Sequence, residues 1–114
     1  MSRPGPDFSS ITSRAQAEAA ALAGTLAKVL LLPAIFGGID VPENVVFVPA
    51  FAAEAKASLE AGVVAQLVRE GKVTRYAVEP SYQGDSFVPT KLVVRAWDPA
   101  QLSTTIQIWG EALA

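Results

Sequence analysis

Apolar positions across 15–32 leave polar side chains only a narrow stripe. At about 3.6 residues per turn, Arg14, Glu18, Thr25 and Lys28 fall on one line, and Ala, Leu and Val fill most of the remaining circumference. This predicts one long helix that must be covered on most sides. Ser13, with Gln16 three residues later, is a capping-box signature that starts the helix at about Arg14, and Pro33 ends it. Gly37, Gly38, Asp40, Pro42 and Asn44 then mark a loop, and Val45 to Val48, bounded by Pro49, reads as a short buried or edge strand.

A second helical stretch covers 50–70 and ends at Gly71, a natural left-handed C′ residue. Its apolar stripe changes phase. Phe51, Ala55 and Leu59 share one face, whereas Val63, Val64 and Leu67 lie about a third of a turn away. A kink or break is expected near 60–62, because a straight helix would set Lys56 and Glu60 in the middle of the second apolar face. The alternative is a surface Lys56–Glu60 pair, worth only about 0.3 to 0.5 kcal/mol.

Beyond Thr74 the pattern turns to β-branched and aromatic runs at 74–79, 91–97 and 104–109, which predicts a three-stranded antiparallel meander. Opposing Lys91 with Glu111, Val93 with Trp109, Arg95 with Gln107 and Trp97 with Thr105 on one face makes one opposite-charge pair, Lys91–Glu111. The same register sets Val94 against Ile108 and Ala96 against Ile106 on the other face. The expected architecture is α+β: a long N-terminal helix and a broken second helix packed on a three- to four-stranded, mainly antiparallel sheet. Residues 1–13 would form an N-terminal arm and 14–114 a single domain.

One sheet face would be aliphatic and covered by the helices, while the other mixes Val93, Trp97 and Trp109 with Lys91, Arg95 and Gln107. Trp and Arg are enriched at binding hot spots, so Val93, Arg95, Trp97 and Trp109 are candidate interface residues. The alternative places both Trp rings within the protomer, over a sheet edge or beneath the arm. Tyr82 and Phe87 join the interface set from the loop 80–90, where Gly84-Asp85 suits a II′ turn at a hairpin tip.

Composition narrows the chemistry. With 51% hydrophobic and 18% charged residues the chain folds, and a net charge of −2 gives no positive field for phosphate backbones or anionic lipid. Pro33 and the paired glycines argue for a buried segment over a membrane span across 19–39. The first eight residues lack the apolar run of a secretory signal, which favours the cytoplasm. Histidine and cysteine are both absent, which removes thiolate metal sites and every Ser-His or Cys-His arrangement. Glu79, Tyr82 and Asp85 could form an acid/base site only in a pocket that separates their pKa values. Asp40, Glu43 and Asp98 lack metal-ligand spacing. No catalytic residue, cofactor or metal is therefore assigned.

The segment 59–78, with Arg69, Lys72 and Arg75, resembles the recognition-helix end and β-wing of winged-helix DNA-binding proteins. That resemblance implies phosphate contacts by these three cations. It covers about twenty residues, and Val45 to Val48 stands where the preceding short helix should be. In layout alone, the chain is similar to small bacteriophage tail and head–tail connector subunits, which implies ring assembly and a place in a virion. The expectation is a non-catalytic structural or assembly protein. It would act as a homo-oligomer subunit or dock on a larger particle, with the Pro4-Gly5-Pro6 arm reaching a neighbour and no nucleic acid or membrane bound.

Overall fold

The computed structural model describes residues 7–113; the Pro-Gly-Pro of the arm lies outside them. Helix α1 spans Arg14–Leu22, and its start follows the capping signature. Ser13 Oγ accepts the Gln16 N–H at 3.2 Å, and Gln16 Oε1 accepts the Thr12 N–H at 2.7 Å. The long N-terminal helix does not form. Gly24 takes φ 85, the Thr25 N–H donates to Ala20 C=O at 2.9 Å, and the Gly24 N–H donates to Ala21 C=O at 3.2 Å. This is a Schellman turn, which a left-handed glycine one position past the helix stabilises. The apolar run is thus shared between a helix and the strand β1, Ala27–Leu30, where Lys28 sits.

Strand β1 pairs antiparallel with β2, Val45–Val48, with Ala27 opposite Val48 and Leu30 opposite Val45. All four β2 side chains are buried, as in a strand covered on both faces. The connecting loop is held by Asn44. Its Oδ1 accepts the Leu32 N–H at 2.8 Å, and its Nδ2 donates to Leu32 C=O at 2.9 Å and to Ile39 C=O at 3.0 Å. Gly38 is needed there, since a Cβ would lie 1.7 Å from the Leu32 carbonyl oxygen.

Helix α2, over 50–69, is continuous rather than broken. It is α-helical over Ala50–Leu59, widens to a π-helical turn over Glu60–Val64, and returns to α over Ala65–Arg69. Gly71, at φ 70, closes it in a second Schellman turn. The strands β3 (Arg75–Ser81), β4 (Lys91–Trp97) and β5 (Gln101–Gln107) form an antiparallel meander in that order. Lys91 faces Gln107, Val93 faces Thr105, Arg95 faces Ser103 and Trp97 faces Gln101, a register four residues away from the expected one. The reason is a tighter turn. Asp98, at φ 77, donates its N–H to Ala100 C=O at 2.9 Å, so β5 starts at Gln101. Four is even, so the side chains within β4 and β5 keep their expected faces, while Trp109 lies beyond the end of β5.

Among the described residues the architecture is therefore two main helices and five strands in two antiparallel sheets of two and three strands, not one sheet beneath a long helix. Helix α2 touches both β1 and β5. The main core joins β2 and Leu26 to Ala52, Val78, Leu92, Val94, Ile108 and Trp109, with Phe8 and Ile11 packed against it. Among the described residues, no helix is long and apolar enough to cross a membrane.

Leu26 is 4% exposed, while Lys28 pairs in solvent with Asp40 at 2.7 Å. Leu26→Ala should cost about 2 to 5 kcal/mol and Lys28→Ala at most about 1 kcal/mol in urea denaturation. Equal effects would contradict this placement.

Candidate functional site

The buried stripe of α2 contains two opposite charges. Ala52, Lys56, Glu60 and Val64 are all buried, spaced four residues apart, while Phe51, Ala55 and Val63 are exposed. On a regular α-helix each four-residue step advances such a stripe by about 40°. The wider π turn at Glu60–Val64 takes more than four residues per revolution and rotates it back. The phase change in the sequence is resolved by this bulge, which points Lys56 and Glu60 inward.

Lys56 Nζ donates to Glu60 Oε2 at 2.5 Å and to Leu30 C=O of β1 at 2.8 Å. The Tyr76 hydroxyl of β3 donates to the same Glu60 oxygen at 2.6 Å. Burial lowers the Lys56 pKa from its ordinary value, against the pull of the Glu60 carboxylate. Burial raises that of Tyr76 well above the usual phenol range, and the hydrogen bond to Glu60 and its negative charge act in the same direction. Among the described residues, no buried side-chain nitrogen or oxygen lacks a partner. Lys56 and Tyr76 meet on one Glu60 oxygen, and Lys56 also holds the β1 carbonyl, so the set forms a structural clamp between the sheets.

The Tyr76 ring connects the clamp to an apolar cleft. It meets Phe36 edge-on at 5.2 Å, and both line a cavity of about 620 Å³. Leu32 and Ile35 supply one side, Val64 and Val68 of α2 a second, and Val73 with Trp97 a third. Ile35 is 69% exposed and Val68 45%, so apolar surface continues outside the cleft.

Strand alternation places Val93, Arg95 and Trp97 together on the open face of the meander, with Val93 and Trp97 half-buried and Arg95 exposed. Arg95 pairs there with Glu79 of β3. Trp97 alone of the three lines the apolar cleft. Trp109 is not with them. It is buried, meets Phe8 edge-on at 5.9 Å, and its Nε1 donates to Val88 C=O at 3.0 Å. The loop 80–90 folds back instead of projecting. The Phe87 N–H donates to Ile11 C=O at 2.6 Å, and Ser86 Oγ to Phe8 C=O at 2.8 Å. The Gly84 turn forms with φ 58 and a 3.2 Å hydrogen bond from Ser86 N–H to Gln83 C=O. Phe87 is half-buried beneath the Arg14 guanidinium, 5.6 Å above its ring, while Tyr82 remains exposed.

The other candidates separate. Glu79 and Asp85 are both exposed. Asp40 pairs with Lys28 and Asp98 with Arg75, and no group of three or more acidic residues suited to a metal forms among the described residues. Of the winged-helix cations, Lys72 pairs with Glu70 at 3.3 Å and Arg75 with Asp98 at 3.5 Å, and β2 immediately precedes α2. The clamp and the cleft were not foreseen. Their signal was Lys56 and Glu60 in phase with Ala52 and Val64, read as a reason to break the helix. No known protein family, curated protein or solved structure matches this chain.

Glu60→Gln should destabilise the fold by about 3 to 5 kcal/mol, because the Lys56 ammonium is left buried without its counter-charge. The triple variant Lys56→Met/Glu60→Leu/Tyr76→Phe should recover most of that loss in urea denaturation. A triple variant as unstable as Glu60→Gln would show that the charges themselves are required.

Proposed function

We propose that the protein is a non-catalytic assembly subunit, which associates with further copies of itself or docks on a larger particle. The observation that carries this reading is the apolar cleft walled by Phe36, Val68, Val73 and Trp97, with Ile35 and Val68 exposed at its edge. A half-buried Trp beside aliphatic walls has the character of a hot-spot pocket, which gains most when a partner seals it from water. The Lys56–Glu60–Tyr76 set supports a structural role, since its hydrogen bonds tie α2 to β1 and β3. Two of the three cations in the winged-helix resemblance face carboxylates, which weakens their reach to phosphates. The virion setting implied by the phage-subunit layout is one place where such a subunit would act.

Light scattering at micromolar concentration tests the reading. The wild type should run heavier than a monomer, and Val68→Glu, on an exposed wall, should lower the mass with thermal stability held within about 0.5 kcal/mol. A mass unchanged by Val68→Glu would remove the cleft as the contact.

A further inference from the structure

We propose that two copies of this chain pair edge to edge through β5, antiparallel about a two-fold axis, merging their meanders into one six-stranded sheet. The pairing rests on the assembly reading and names a surface for it.

Strand β5 ends the order β3-β4-β5, so one side of its backbone faces away from the sheet. The residues on that side follow from the ladder. The Ile108 N–H donates to Thr90 C=O at 2.7 Å and the Asp98 N–H to Ala100 C=O at 2.9 Å, so hydrogen-bonded pairs between these strands fall on even-numbered residues. Antiparallel alternation then turns the N–H and C=O of Gln101, Ser103, Thr105 and Gln107 outward. All four are exposed, and among the described residues no loop, turn or side-chain hydrogen bond reaches them.

Sheet edges are ordinarily protected by charge, proline, a bulge or a covering segment. The opposite edge, β3, carries Pro80, Arg75 and Glu79. By contrast, Gln101–Gln107 has neither a charged residue nor a proline over seven residues.

The strand is complementary to its own reverse. Laid antiparallel on a second copy over its full length, it opposes Gln101 with Gln107 and Ser103 with Thr105, as hydrogen-bonded pairs carrying amides and hydroxyls on the open face. On the other face Leu102 meets Ile106, and Thr104 lies at the axis. Leu102 and Ile106 are each only half-buried in the protomer, so this contact covers apolar surface that the single copy leaves wet. No like charges meet. A slip of one residue would oppose outward-facing with inward-facing backbone groups, and a slip of two would leave the last two residues of each strand without partners, so the full-length register is favoured.

Sedimentation velocity on the full chain tests the pairing. The wild type should form dimers or even-numbered multiples of them. Thr105→Pro removes an outward N–H that the protomer does not use, and it should weaken association at least about tenfold. Ser103→Lys/Thr105→Lys sets Lys against Lys across the axis and should weaken association likewise. Ser103→Lys/Thr105→Glu sets Lys against Glu and should keep the dimer. That contrast between two folded double variants, checked by circular dichroism, decides the matter if the proline variant unfolds. Association equal to wild type in both Thr105→Pro and the Lys/Lys variant overturns the edge pairing and leaves the assembly reading intact. A wild type that stays monomeric into the high micromolar range overturns the pairing and self-association together. Monomers that take up an added extended peptide along β5 would replace the second copy with a foreign strand.

Discussion

The seating of α2 between the two sheets is set by one buried ion pair. Lys56 and Glu60 lie one turn apart on α2, and their polar atoms reach Leu30 of β1 on one side and Tyr76 of β3 on the other. Without these bonds the helix would still cover apolar surface, but nothing polar would fix its rotation or height between the two sheets. Hydrophobic contact is tolerant of small slides, whereas a carboxylate that must meet an ammonium and a phenol is not. The π turn belongs to the same constraint. It keeps Val64 on the stripe that holds Lys56 and Glu60, so the charged pair and the second apolar cluster face one side.

Local signals were legible where one residue controls one piece of backbone. The Ser13 cap, the Gly71 terminus, the Gly84 turn and the bounds of β4 follow from capping, left-handed glycine and alternation. Longer-range features were hidden by competing signals. Gly24 sits inside an apolar run whose periodicity favours a helix, yet its left-handed φ ends that helix and continues the run as an extended segment that buries Leu26. In the meander, the Lys91–Glu111 charge pair and the aliphatic pairs selected a plausible register. The tight turn at Asp98, which the sequence pattern does not weigh, set another. Parity survived that error, so Val93, Arg95 and Trp97 share a face while Trp109, beyond the end of β5, turns into the core. The candidate site was legible only to that extent. The cleft takes Trp97 from β4 and its other walls from the loop after β1, from α2 and from the segment 73–76 that leads into β3, a meeting that no local pattern encodes.

The molecule leaves its apolar surface unevenly covered. Phe87, Trp109, Phe8 and Ile11 close one end of the core through the folded-back loop and the N-terminal segment, with Arg14 over the Phe87 ring. At the other end Ile35, Val68 and Trp97 remain around an open cleft, and β5 offers an unprotected edge. The clamp thus holds the interior of a small chain while the cleft and the β5 edge stay open outside.

Native-state hydrogen exchange under increasing urea tests the clamp as the common constraint most directly. The account predicts that the most protected amides of β2 and β4 open with one shared free energy, as a single cooperative unit joined through α2. Two separate opening free energies, one for the β1–β2 pair and one for the meander, would show that the sheets are independent and contradict it.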